Sequence, residues 1–193
     1  MMNLRTYNVN INKRLAISLI SILILVSFCS LLFIENHSLI AHDESLYANR
    51  AKLILDTNNW FTPFENAHHK TIGSYWLIAL SFKIFGISEF SARLPSYIFS
   101  ILSSFVLFKI IKDISSLEIG LISIFTLSSS FLWFTYSKYC SPETLYIFLN
   151  LLSILFLLKT NNFLKERVKN KYLFISGLFL SLPFFVRSYL QLL

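Results

Sequence analysis

The sequence predicts an all-α fold, a polytopic transmembrane helical bundle with about five spanning helices and one or two interfacial helices in its first outer loop. Three observations predict it. The 193 residues are 55% hydrophobic, with 20 phenylalanines and only 14% charged residues, where a soluble domain carries about 25%. The mean hydropathy is +0.62. The apolar residues gather in runs of the length that crosses a hydrocarbon core, and the basic residues lie in short clusters between those runs. That last arrangement decides what the net charge of +7 means. A nucleic-acid binder presents its cations along one soluble face, whereas cations between apolar runs mark a membrane protein, so no nucleic-acid partner is expected.

The first run spans residues 14–34, with Lys13 and Arg14 at its start, and reads as a signal anchor. A cleaved signal peptide would have a shorter core followed by a small-x-small site, and a lipoprotein signal would need a small residue where Phe28 precedes Cys29. Further spans are expected at about residues 94–112, 118–137, 142–159 and 172–193. Residues 72–86 are also apolar, but the run is short, carries Lys83 and ends at Gly86, so it reads as an interfacial or re-entrant helix. Cys29 and Cys140 are too far apart in sequence to read as a metal or redox pair, and no chemistry is assigned to either.

Charge sets the orientation. If residues 72–86 do not cross, the short loops on the amino-terminal side hold Lys109, Lys112, Lys159, Lys165, Arg167, Lys169 and Lys171, against Lys138 alone opposite. This is the distribution that the positive-inside rule requires, and it puts the amino terminus in the cytoplasm and residues 35–92 outside. The start of the span near Pro142 then faces the same compartment as Asp43. Within the outer loop, residues 43–56 have helical periodicity. Tyr47, Ala51 and Ile54, joined by Leu46 and Leu53, form an apolar face, and Ser45, Asn49, Lys52 and Asp56 recur opposite.

The outer loop also collects His42-Asp43-Glu44, His68-His69-Lys70 and, at its end, Arg93. Adjacent carboxylates, adjacent histidines and several cations beside a membrane have no packing rationale unless water or a polar ligand is handled there. On the residues alone each has a plainer use. Asp43 is a good helix N-cap, and Lys70 and Arg93 are placed to snorkel toward headgroups. Ser141-Pro142-Glu143 reads as N-cap, N1 and N2 of a helix, with the carboxylate favourable near the positive helix end.

The order of these features resembles a known family. An apolar span is followed by His42-Asp43-Glu44-x-x-Tyr47, an amphipathic helix and Trp60-Phe61-x-Pro63. Lys70 then precedes Tyr75-Trp76-Leu77, and Phe85-Gly86 leads to Ser91-Ala92-Arg93-Leu94-Pro95-Ser96. This block looks like the amino-terminal part of the GT-C fold, polyprenyl-phosphate-dependent glycosyltransferases of the protein O-mannosyltransferase and lipid A aminoarabinose transferase kind. The likeness runs from about residue 14 to about 190, and residues 42–96 are its specific part.

The resemblance implies a membrane enzyme that takes a sugar from a polyprenyl-phosphate-linked donor and delivers it to a lipid or protein acceptor, on the outer side of the inner (plasma) membrane. It implies catalytic carboxylates at Asp43, with Glu44 beside it, and at Glu143. It also implies phosphate-binding cations at Lys70, Arg93 and Arg187. One carboxylate would activate the acceptor as it attacks the anomeric carbon, and the cations would hold the leaving phosphate. The chain departs from the family after Lys70. Many relatives have Lys-Pro-Pro there, whereas Thr71-Ile72-Gly73 follows the lysine here, so the rigid turn that would aim it is missing. No cofactor is expected. His68 and His69 with Asp43 are the one grouping that would offer ligands to a divalent metal, but adjacent loop histidines are ordinarily solvated, and no metal centre is assigned.

Two functional classes follow. The first is the glycosyltransferase. The second is a non-catalytic remnant or subunit of one, because family members have more spans and often a soluble carboxy-terminal domain, and 193 residues would be only about the first third of such a chain. The expected partners are the lipid-linked donor, the acceptor, the bilayer and a second chain supplying the missing helices. A transporter is disfavoured, since the charges gather at the outer mouth and not at the middle of the spans.

Overall fold

The computed structural model describes residues 38–39, 44–61, 72–160 and 170–186, and within them every regular element is a helix. In chain order these are α1 (Glu44–Thr57), α2 (Gly73–Phe85), α3 (Glu89–Ile114), α4 (Leu117–Ser129), α5 (Phe131–Lys138), α6 (Glu143–Thr160), α7 (Asn170–Ser181) and α8 (Pro183–Val186). The expected first span, residues 14–34, lies outside the described residues.

Helix α1 buries the face that the periodicity gives it. Tyr47, Ala51 and Ile54 are buried, while Asn49, Lys52 and Asp56 are exposed. The seam differs in one respect, because Ala48 is buried and Leu53 is exposed. Tyr47 meets α2, whose Tyr75 ring lies 5.4 Å from its own. Helix α2 returns the contact through Tyr75, Ile78, Ala79 and Phe82. Its 13 residues make a rod of about 20 Å, short of the roughly 30 Å hydrocarbon core. The start of α2 lies close to α8. A Cβ on Gly73 would come within 2.5 Å of the Phe185 carbonyl oxygen, so only glycine allows this approach.

Helix α3 is the central element. It starts at Glu89, five residues before the expected span, because Ser88 and Ser91 close a capping box there. Pro95 lies inside this helix and has no N–H to give the carbonyl of Ser91. The Ser81 hydroxyl of α2 donates to that carbonyl instead, at 2.6 Å. Farther along, Ser100, Ser103 and Ser104 turn their hydroxyls back onto the carbonyls of Tyr97, Phe99 and Ser100. These three hydroxyls thereby pass through an apolar region with their donors satisfied. Val106 and Ile110 of α3 pack on Leu155 of α6, and the Phe99 and Phe148 rings lie 5.3 Å apart. Helices α6 and α7 are tied by a reciprocal pair. Ser153 Oγ donates to Ser176 O at 3.0 Å and Ser176 Oγ to Ser153 O at 2.9 Å, both buried.

The chain is a membrane protein with an all-α fold. Among the described residues two helices, α3 and α6, are long and apolar enough to cross a bilayer, and a third span is reached only if α4 and α5 are one broken element. The expected count of five is not reached in the described residues. The 118–137 run is not one straight helix: α4 and α5 meet at Ser130 with a bend of 69°. The run expected at 172–193 is present as α7 and the four-residue α8, and residues 187–193 lie outside the described residues.

Candidate functional site

The geometry centres on Glu44, the first residue of α1. Its side chain is only 2% exposed, and a carboxylate taken from water is tolerated only when charge and hydrogen bonds are returned to it. Arg93, 49 residues away on the second turn of α3, supplies both. Its Nε donates to Glu44 Oε1 at 2.9 Å and its NH2 donates to Oε2 at 2.8 Å, the fork geometry that suits guanidinium to carboxylate. A third donor is the backbone N–H of Cys140, 2.7 Å from Oε1. The same Arg93 NH2 reaches the carbonyl of Ser38 at 3.2 Å. One carboxylate and one guanidinium thus gather the segment before α1, the start of α1, the start of α3 and the approach to α6.

The next amide after Cys140 is held from α3 as well. Ser141 N donates to Ser96 Oγ at 3.2 Å, and Ser96 Oγ donates to Ser141 O at 2.9 Å. Two successive backbone amides, at Cys140 and Ser141, are therefore pinned, and α6 begins two residues later with Glu143 in its first turn. Glu143 is partly buried. The N-cap expected of Ser141 is not made, because its Oγ is buried without a hydrogen-bond partner and the helix begins one residue later than the Ser-Pro-Glu spacing suggests. Cys140 itself is 0% exposed. Burial, reinforced by the negative charge of Glu44, pushes its thiol pKa well above the ordinary value.

Of the residues singled out from the sequence, Glu44, Arg93 and Glu143 are brought to one end of the bundle. Asp43, Lys70 and Arg187, with His68 and His69, lie outside the described residues. The structure engages Glu44 and Arg93 with each other, whereas the sequence suggested a second acid and a phosphate contact. Sequence reasoning missed the Cys140 amide, the Ser38 carbonyl and Ser96. Backbone groups carry no sequence signal, but Ser96 belongs to the Ala-Arg-Leu-Pro-Ser block and was open to notice. Among the described residues no group of three or more His, Cys, Asp or Glu side chains is placed to hold a metal ion.

The family model of the dolichyl-phosphate-mannose-protein mannosyltransferases matches residues 69–193. An undecaprenyl phosphate-alpha-4-amino-4-deoxy-L-arabinose arabinosyl transferase of Wigglesworthia glossinidia brevipalpis is 28% identical over 196 residues, an alignment that covers 97% of this chain and 34% of the relative. An uncharacterized protein of Aquifex aeolicus (strain VF5) is 30% identical over 116 residues, covering 58% of this chain and 23% of its own. Crystal structures of ArnT from Cupriavidus metallidurans, apo and bound to undecaprenyl phosphate, superpose with TM-scores of 0.73 and 0.76 at 14% and 15% identity. Each superposition covers 90% of this chain and 32% of ArnT. At that identity the likeness is one of fold. The chain spans about a third or less of the length of these relatives.

Proposed function

Because the chain belongs to the dolichyl-phosphate-mannose-protein mannosyltransferase family, we propose that it forms the donor-side portion of a membrane glycosyltransferase using a polyprenyl-phosphate-linked sugar, with Asp43 as the group that activates the acceptor. The acceptor, a lipid or a protein, attacks the anomeric carbon. Its oxygen–carbon bond forms as the bond from that carbon to the phosphate oxygen breaks, the acceptor proton passes to the Asp43 carboxylate, and the polyprenyl phosphate leaves with the bonding electrons. Lys70 and Arg187 neutralise the departing phosphate. One of the two ArnT crystal structures holds undecaprenyl phosphate, a lipid of the carrier class that this reading requires.

The observation that carries the proposal is the clamp on Glu44. Asp43 precedes in sequence a residue whose carboxylate is fixed by Arg93 and by the Cys140 amide, and Cys140 lies three residues before Glu143. In this reading Glu44 and Arg93 are positioning residues that hold the Asp43 and Glu143 segments together, and Glu143 is the second carboxylate of the site. The site faces the outer side of the inner membrane, with the amino terminus in the cytoplasm.

The test is incorporation of sugar from an undecaprenyl-phosphate-linked donor into the lipid and protein fractions of membranes that contain the chain. Asp43→Asn is expected to abolish the incorporation that depends on the chain, and unchanged incorporation would sink the assignment. A second reading, a non-catalytic remnant or a subunit completed by another chain, is favoured by one observation, the third of a relative's length that the chain spans. Mild-detergent purification from the native membrane separates the two: a co-purifying chain that supplies further spans supports a split enzyme, and a chain that travels alone and transfers no sugar supports the remnant.

A further inference from the structure

Three buried hydroxyl oxygens, Ser74 Oγ of α2, Ser141 Oγ before α6 and Thr144 Oγ1 in the first turn of α6, have no hydrogen-bond partner among the described residues. Ser74 is 4% and Thr144 0% exposed. All three residues line the same cavity, between α2, α3 and the start of α6. A buried hydroxyl is ordinarily bonded, and three orphans on one cavity form a pattern. The other polar side chain on the wall, Ser96, is already engaged with the Ser141 backbone, and Leu77, Pro95 and Phe99 make up much of the rest.

We propose that this cavity is a binding site for a single ordered water molecule, held by Ser74, Ser141 and Thr144. Size selects the ligand. The cavity leaves about 10 Å³ for the centre of a water molecule, close to the roughly 10–15 Å³ that one water requires. Valence agrees. A water offers two donors and two acceptor sites, each hydroxyl offers one donor and two acceptor sites, and the usual buried water makes about three bonds. The positive end of α6 favours a water oxygen turned toward it. The water joins helices α2 and α6 by a bridge that no direct side-chain bond among the described residues supplies. It also fills the place of the missing Ser141 cap, beneath the turn that carries Glu143.

The test compares thermal unfolding midpoints of the chain in mild detergent for Ser74→Ala, Thr144→Val and the double variant. If the cavity is dry, removing an orphaned hydroxyl leaves the midpoint unchanged or raises it. If the water is present, each single change lowers the midpoint by about 2–4 °C, Thr144→Ser restores most of the loss, and the second substitution adds little once the water has gone. A raised or unchanged midpoint, or losses that simply add, overturns the proposal. So does a structure at a resolution that reveals waters in which the space between the three oxygens is empty.

Discussion

Arg93 and Glu44 meet through two parallel hydrogen bonds of 2.9 and 2.8 Å, with side chains 5% and 2% exposed. Breaking a buried pair from one side leaves an uncompensated charge, which costs about 3–5 kcal/mol. Arg93→Ala and Glu44→Ala should each sharply lower the unfolding midpoint and the yield of folded chain. Arg93→Lys should recover little, since a lysine cannot make the fork. The joint replacement Glu44→Gln with Arg93→Met should be milder than either alanine variant. Thermal denaturation of the purified variants checks the order.

Pro95 and Ser81 are coupled through one carbonyl. Because Pro95 cannot donate to Ser91 O, Ser81 Oγ does so, and Ser81→Ala should cost about 1 kcal/mol in the native sequence. In a Pro95→Ala background the helix regains its own donor, and the same Ser81→Ala change should cost much less. A double-mutant cycle on unfolding midpoints reads the difference directly.

Cys140 contributes its amide, not its thiol. Its thiol pKa is raised by burial first and by the charge of Glu44 second, so the thiol stays protonated at pH 9, where an exposed cysteine is largely thiolate. In a Cys29→Ser background, thiol-directed labelling should remain slow across pH 7–9 and become fast on denaturation. Cys140→Ala, which keeps the amide bonded to Glu44, should fold.

Orientation can be read at Ser115, which is exposed between α3 and α4. A cysteine placed there should be labelled from the cytoplasmic side alone. Labelling from outside would put the opposite end of α3, with Arg93 and the Glu44 and Cys140 that it gathers, on the cytoplasmic side and overturn the outward-facing site.

The periodic part of the fold was legible in the sequence. Tyr47, Ala51 and Ile54 mark the buried face of α1, and the apolar runs mark α3 and α6, because burial and helical geometry repeat locally. The start of α3 comes earlier than its apolar run suggests, since the capping box at Ser88 begins the helix at Glu89, ahead of the apolar residues. The elbow at Ser130 has no proline or adjacent glycine to announce it; the nearest sign is the run of three serines, Ser128-Ser129-Ser130. At the site, sequence singled out Glu44 and Arg93 but gave them separate tasks. Their pairing joins positions 49 apart, a tertiary fact that no local pattern encodes, and the Cys140 amide is invisible to any reading of side chains.

The crossed bonds of Ser153 and Ser176 act as a key between α6 and α7. A turn of either helix by one residue, about 100°, would break both bonds together, with no intermediate register in which one survives. Sliding between these two helices therefore costs both bonds at once, about 1 kcal/mol each.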